Sequence, residues 1–166
     1  MRLSRSGRAG VFAALMVLCV APSGMRAAGQ WAAPSPSSAS SIPTSELLQP
    51  EELNRLLQTP GAEKPLILQV GSHVLYSEAH IPKSEYAGAG SQDAGAQTLR
   101  NRVASLPRKT FIVLYCGCCP WGRCPNVGPA YKLLLDMGFT RVKVLYLANN
   151  FGADWVNKGF PVESGH

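Results

Sequence analysis

Short apolar runs alternate with amphipathic segments along most of the chain. The segment Pro50–Leu57 places Leu53, Leu56 and Leu57 on one helical face, and it begins with a proline and two acidic residues, which are favourable in a first helical turn. The continuous apolar run Leu66–Val70 has the length of a buried strand. The pattern therefore predicts an amphipathic helix followed by a strand in the interior of a sheet.

The second half of the chain repeats these elements. Phe111–Tyr115 is the clearest strand, because it is continuous and rich in β-branched and aromatic residues. Pro129–Met137 has apolar residues at helical spacing and is followed by a glycine, and Val142–Leu147 is predicted as the last strand. Repeated strand-then-helix order predicts a parallel sheet with helices on both faces.

Three further segments complete the pattern. Residues 84–97 are small and glycine-rich, and we predict a surface loop there. Thr98–Leu106 and Asp154–Lys158 are predicted as short helices, since a proline follows the first and a glycine the second. His73 is interpreted as a loop residue, and His80 as a structural residue in a turn.

The first thirty residues have a different pattern. Three arginines precede the apolar run Val11–Ala21, and small residues follow it, which is the three-part organisation of a secretory signal peptide. The run is about half the length needed to span a bilayer. We therefore predict a signal peptide over residues 1–29, cleaved before Gln30, and a periplasmic or secreted product with no stable membrane span after cleavage.

The mature chain is predicted to contain one folded domain. Residues 30–43 are rich in proline, serine and alanine and have no apolar periodicity, which indicates a flexible tether. The remaining residues, 44–166, have the length of a single domain.

The charge of the chain lies mostly in its first segment. Loss of residues 1–29 removes four arginines and no acidic residue, and this lowers the formal charge from +6 to +2. No block of lysine and arginine remains in the mature chain, so a nucleic-acid partner is not expected. We expect the mature protein to be a monomer.

Four of the five cysteines fall within nine residues, at Cys116, Cys118, Cys119 and Cys124. A framework of structural disulfides would distribute its cysteines over the chain. Closing loops this short also restricts the unfolded chain little, so stabilisation of the fold does not explain the cluster. The spacing therefore indicates local thiol chemistry.

Four segments together resemble the rhodanese-like domain family over about residues 44–163. They are QPEELNRLL followed by LILQV, then YSEAHIP, then FIVLYC, and finally MGFTRVKVLYLANNFGADWVNKGFPVE. The resemblance implies a three-layer α/β fold, in which short helices flank a central, mostly parallel sheet. It also implies a sulfurtransferase of the thiosulfate sulfurtransferase type, which needs no cofactor and whose nucleophile is the cysteine that ends FIVLYC, Cys116.

The chain departs from the family pattern at the site. Gln69 and Gly71 stand where the family carries an aspartate and an arginine. The loop CGCCPWGRCPN is about five residues longer than the family's loop, and Arg123 lies seven positions after Cys116. A phosphatase or arsenate-reductase loop is disfavoured, since its arginine lies six positions after the cysteine.

Sulfur transfer is the first functional hypothesis. Cys116 would attack a small sulfur donor, hold a persulfide and pass the sulfur to a thiol acceptor, which includes protein thiols. Arg123 would bind an anionic donor, and Gly117, Trp121 and Gly122 would complete the substrate-binding loop. A loop between a strand and a helix N-terminus favours a thiolate or another anion.

Two other chemistries are open. Thiol–disulfide exchange would use the C-x-x-C pair Cys116 and Cys119, with Cys118, Cys119 and Cys124 as candidate resolving thiols. Alternatively, the four thiolates would bind Cu(I) or Zn(II), although C-x-C-C-x4-C lacks the two separated C-x2-C knuckles of a structural zinc site. Four thiols in nine residues are hard to explain as buried filler in a catalytically inactive binding module.

Overall fold

A computed structural model describes residues 38–165. The predicted signal peptide and most of the predicted tether lie outside these residues. Among the described residues, no helix is both long and apolar enough to cross a membrane. Five strands and five α-helices are present in this part of the chain: β1 (Leu47–Leu48), α1 (Pro50–Gln58), β2 (Leu66–Gln69), α2 (His73–Glu78), β3 (Glu85–Tyr86), α3 (Asp93–Val103), β4 (Ile112–Tyr115), α4 (Val127–Asp136), β5 (Val142–Leu145) and α5 (Phe151–Asp154).

The five strands form one parallel sheet in the order β1-β5-β4-β2-β3. β4 lies at the centre, where Leu114 pairs with Leu68 of β2 and with Val144 of β5. All four residues of β4 are buried. The prediction of a parallel sheet with flanking helices is confirmed, and its central strand is the one that leads into the cysteine-rich loop.

Each face of the sheet is covered by its own apolar core. Alternate side chains of β2 and β4 point to opposite faces, as the pleat of a strand requires. One core contains side chains from α3 and α4, and the other contains side chains from α1 and α5. The first includes Leu68, Ile112, Leu114, Val144, Leu99, Val103 and Leu134, and the second includes Ile67, Val113, Tyr115, Leu145, Leu53, Phe151 and Trp155.

The region between β2 and β4 differs from the prediction. α2 and β3 were not predicted, and α3 begins at Asp93, inside the predicted loop 84–97. Gly95 explains the missed helical turn. A Cβ on Gly95 would lie 2.1 Å from the carbonyl oxygen of Ala89, so the helix can approach the preceding loop only with glycine at this position.

The folded part of the chain begins before Thr44. Ala39 and Ile42 fall within the predicted tether, but they are buried in the core that α4 helps to form. Because these two side chains are buried, the folded domain begins a few residues before the predicted start, which was placed where the proline- and serine-rich segment ends.

His80 has the structural role that was predicted. Its ring stacks on Tyr76 at 4.1 Å between centroids, and its Nδ1 lies 2.8 Å from the Tyr76 carbonyl oxygen. The backbones of His80 and Glu163 exchange two hydrogen bonds, which attach the C-terminal tail to the segment that follows α2. His73, predicted in a loop, is instead the first residue of α2.

Candidate functional site

The cysteine-rich loop connects β4 to α4. Cys116 follows the last residue of β4 directly, and Gly117 then turns the chain with a positive φ of 76°. A Cβ on Gly117 would lie 2.7 Å from the Cβ of Phe151, whose N–H donates to the Gly117 carbonyl oxygen at 3.0 Å. Only glycine suits both the left-handed conformation and this close approach. A 3₁₀ turn over Trp121–Arg123 follows and leads to the start of α4.

The loop brings the four sulfur atoms into one cluster. The Sγ atoms of Cys116 and Cys118 are 3.0 Å apart, and those of Cys118 and Cys119 are 3.5 Å apart. The Sγ atoms of Cys116, Cys119 and Cys124 all lie within 4.8 Å of one another. Cys116 and Cys124 are buried, with relative exposures of 5% and 3%, while Cys118 and Cys119 are partly exposed.

Asn126 is a further residue of the site and was not predicted from the sequence. Its Oδ1 accepts hydrogen bonds from the N–H and the hydroxyl of Ser91, at 3.2 and 2.8 Å. These two donors leave its Nδ2 directed at the sulfur atoms, 3.3 Å from Cys116 Sγ and 3.9 Å from Cys118 Sγ. The buried amide is therefore a fixed donor to the thiol pair.

Gln69 and Gly71 also shape the site, at the positions where the family carries an ion pair. The Gln69 amide donates to the Cys116 carbonyl oxygen and accepts from the Gly71 N–H, both at 3.0 Å. A Cβ on Gly71 would lie 2.6 Å from Cys116 Sγ. The neutral side chain of Gln69 therefore holds the carboxyl end of β4. Because Gly71 has no side chain, it leaves room for Cys116 Sγ.

A cavity of about 360 Å³ opens above the thiol pair. Cys116, Gly117 and Cys118 line it together with apolar side chains, which include Leu75, Phe151 and Val156. The only charged residue among the described residues of its lining is Glu78. The cavity therefore provides sulfur nucleophiles and an apolar wall, but no cation.

Three of the predicted substrate-binding residues lie outside the lining of this cavity. Trp121, Gly122 and Arg123 are not among the residues that line the cavity, whereas Gly117 is. Arg123 is exposed, and the Trp121 ring packs on Tyr146 at 5.1 Å between centroids. The additional residues of the loop fold as a 3₁₀ turn beside the cavity and do not supply an anion-binding arginine to it.

Hydrogen bonding and burial separate the pKa values of the four thiols. The pKa of Cys116 is raised, because its thiol donates to Cys118 and Cys124 and because it is buried. The hydrogen bond from Cys116 lowers the pKa of Cys118 to about 6, and it also lowers that of Cys124. A thiol has one proton and can serve one acceptor at a time, and the 3.0 Å distance favours Cys118. Burial raises the pKa of Cys119.

Cys118 is expected to be the first thiol alkylated by limiting iodoacetamide at pH 7. Thiolates react and thiols do not, and Cys118 combines a lowered pKa with partial exposure. Peptide mapping of the reduced protein at short reaction times gives the order of modification. Modification of Cys116 before Cys118 would contradict this assignment, since Cys116 is buried and has a raised pKa.

The fold is shared with known structures. No protein-family model matches the sequence, and no curated protein matches it. The rhodanese-like domain of the Alr3790 protein from Anabaena sp. superposes with a TM-score of 0.53 at 22% identity, over 72% of this chain and 79% of that one. The BH2092 protein from Bacillus halodurans gives a TM-score of 0.56 at 22% identity, over 72% of this chain and 77% of that one.

A third similar structure is that of EanB, which carries a cysteine persulfide together with ergothioneine. Its TM-score is 0.51 at 20% identity, over 73% of this chain and 32% of EanB. At these identities the likenesses establish the fold. The chain has the rhodanese-like α/β fold with a cysteine cluster after the central strand, in agreement with the resemblance found in the sequence.

Proposed function

We propose that the protein is a sulfurtransferase that carries sulfane sulfur as a persulfide on Cys116, with Cys118 as the proton acceptor for the Cys116 thiol. One observation carries this proposal. The Sγ atoms of Cys116 and Cys118 lie 3.0 Å apart, at a cavity located at the carboxyl end of the central strand. This end of a parallel sheet is where α/β folds bind their ligands.

The transfer needs no oxidant or reductant. The Cys116 sulfur attacks the outer sulfur of a donor persulfide R–S–SH, and its proton passes to Cys118. The S–S bond of the donor breaks, and R–S⁻ leaves and takes the proton from Cys118 as R–SH. An acceptor thiol R′–SH then attacks the outer sulfur of the Cys116 persulfide, and this returns Cys116 to the thiol and forms R′–S–SH.

Asn126 supports the charged stages of both steps. Its Nδ2 lies 3.3 Å from Cys116 Sγ, within reach of a sulfur that becomes anionic when the donor is attacked or the acceptor arrives. Hydrogen bonds to anions are stronger than those between neutral groups. The neutral amide therefore takes the place of a cation beside the sulfur.

The lining of the cavity selects the donor. Glu78 contributes a carboxylate, and Arg123 lies outside the lining, so a thiosulfate dianion would meet repulsion without a counter-charge. A persulfide on a low-molecular-weight thiol or on a protein presents its reactive sulfur with little local charge. We therefore propose persulfides as donors and thiols as acceptors, in contrast to the anionic donor that was expected to bind Arg123. The cysteine persulfide of EanB is a precedent for this chemistry on the same fold.

Incubation with glutathione persulfide is expected to add one sulfur atom to the reduced protein. Intact mass spectrometry detects the gain, dithiothreitol should remove it, and peptide mapping should place it on Cys116. Thiosulfate at the same concentration is expected to give a slower gain. The proposal would be overturned if no sulfur were added, or if the sulfur mapped only to Cys118, Cys119 or Cys124.

Thiol–disulfide exchange is the second candidate, because the same pair of sulfur atoms is close enough to form a disulfide after a small movement. The partner of Cys116 would then be Cys118, which is 3.0 Å away, in place of the predicted Cys119. Glutathione disulfide would produce a loss of two hydrogens that maps to Cys116 and Cys118. A protein that shows this loss and takes up no sulfur would be a redox protein.

A further inference from the structure

We propose that Cys116, Cys119 and Cys124 form a trigonal binding site for one Cu(I) ion, and that Cu(I) and sulfane sulfur compete for Cys116. The metal site stands on the geometry of the three thiols alone. The competition rests in addition on the sulfur transfer proposed above.

Three different parts of the loop supply the ligands. Cys116 comes from the end of β4, Cys119 lies after the Gly117 turn, and Cys124 lies at the end of the 3₁₀ turn before α4. Their Sγ atoms all lie within 4.8 Å of one another. An ion with three sulfur ligands at about 2.3 Å requires sulfur–sulfur separations of about 4 Å. Small rotations of the side chains therefore close the site.

The donor atoms select the metal. The group contains three sulfur atoms and no histidine or carboxylate, which is a set for soft cations such as Cu(I) and not for Mg²⁺ or Ca²⁺. Zinc in structural sites takes four ligands. Cys118 is the nearest additional thiol, but its Sγ is not among the atoms that lie within 4.8 Å of one another. Three converging sulfur atoms favour Cu(I).

The surroundings of the cluster suit a site with a negative charge. One Cu(I) with three thiolates has a net charge of −2, and hydrogen-bond donors must compensate for it. Asn126 Nδ2 points at Cys116 Sγ, and the backbone N–H groups of Asn126 and Val127 donate to the sulfur of Cys124 at the start of α4. Such donors to ligand atoms orient them and strengthen metal binding. Burial of Cys116 and Cys124 also limits access of water to the ion.

Cu(I) binding and sulfur transfer exclude each other because both use Cys116. Binding of Cu(I) is a ligand exchange, in which thiol protons leave to solvent and no electron is transferred. Cys116 in a Cu–S bond cannot attack a persulfide. A Cys116 persulfide, in turn, carries its anionic sulfur one S–S bond, about 2.0 Å, beyond the Sγ position, so it no longer fits the three-ligand geometry. The occupancy of the cluster by Cu(I) would therefore control sulfur uptake.

An anaerobic competition titration tests the metal site. Reduced full-length protein is titrated against the coloured Cu(I)–bicinchoninate complex, and we expect withdrawal of one Cu(I) per chain. X-ray absorption should show sulfur ligands only. Retention of all the Cu(I) by bicinchoninate, or a first shell that contains nitrogen or oxygen, would overturn the proposal.

Two serine variants identify the ligands. Cys119→Ser removes a ligand from a partly exposed position and is expected to weaken Cu(I) binding by at least about tenfold. Cys118→Ser is the matched control on the neighbouring residue and is expected to change Cu(I) affinity little. Far-ultraviolet circular dichroism confirms that both are folded. Equal losses in the two variants would contradict the three-ligand assignment.

Sulfur uptake in the presence of Cu(I) tests the competition. One equivalent of Cu(I) is expected to block the gain of sulfur from glutathione persulfide, and excess bathocuproine disulfonate should restore it. A protein that takes up sulfur and binds no Cu(I) would refute the metal site alone. A protein that binds Cu(I) and never takes up sulfur would refute the proposed function alone, and undiminished sulfur uptake by the Cu(I)-loaded protein would refute the competition.

Discussion

Replacement of Cys116 with serine is expected to reduce sulfur uptake from glutathione persulfide by at least about a hundredfold, because a hydroxyl is a much weaker nucleophile than a thiol with an adjacent base. The backbone of residue 116 keeps its hydrogen bond to Gln69, so the substitution should preserve the end of β4. Uptake is measured as the rate of sulfur gain by intact mass. The loss should therefore reflect the missing sulfur and not a displaced strand.

The control for this variant is Ser105→Ala, which also changes one side-chain atom, at an exposed position after α3. It should take up sulfur at the rate of the unmodified protein, and all three proteins should have similar thermal unfolding midpoints. Undiminished sulfur uptake by a folded Cys116→Ser protein would transfer the role of carrier to another thiol, with Cys118 as the first candidate.

Replacement of Trp155 with alanine is expected to lower the free energy of unfolding by about 3–5 kcal/mol, the usual cost of removing a large buried aromatic side chain. Trp155 is fully buried, and its indole N–H donates to the Pro161 carbonyl oxygen at 2.8 Å. Its ring packs against Phe151 and Phe160. The substitution therefore opens a cavity in the core shared by α1 and α5 and leaves a carbonyl without its donor.

Urea unfolding followed by circular dichroism measures this loss. Leu135→Ala serves as the comparison, since Leu135 is a large apolar side chain in α4 with 45% of its surface exposed. Exposed positions usually change stability by about 0.5 kcal/mol or less. Losses of similar size in the two variants would show that Trp155 does not support the core in the way described.

The buried strands could be predicted from the sequence because their apolar runs are continuous. β2, β4 and β5 all fall within predicted strands. β3 was missed for the opposite reason, since it contributes only Glu85 and Tyr86 to the edge of the sheet and has no apolar run. Tertiary pairing with β2, not local apolar pattern, forms that strand.

The candidate site could be predicted in part. The position of Cys116 directly after an apolar strand could be predicted, and in the structure Cys116 follows β4 at the carboxyl end of the sheet. Whether the Arg123 side chain lines the cavity could not be predicted from its distance in sequence from Cys116. The 3₁₀ turn within the loop decides which residues reach the cavity. Asn126 directly precedes α4 in the structure, whereas the predicted helix begins at Pro129, and the contact of Asn126 with two sulfur atoms depends on Ser91, which is 35 residues away.

Cys116 is attached to the central strand, so its backbone is held more firmly than the backbones of Cys118 and Cys119. β4 is paired on both sides, to β2 and β5, and the Cys116 carbonyl oxygen accepts a hydrogen bond from Gln69, so the Cys116 backbone is held in place by the centre of the sheet. Cys118 and Cys119 belong to a loop that can shift without breaking a strand pair. Exchange within the cluster should therefore proceed by displacement of the loop toward a stationary sulfur. A second protein that docks at the cavity would meet a nucleophile of fixed position and would have to bring its own reactive atom to it.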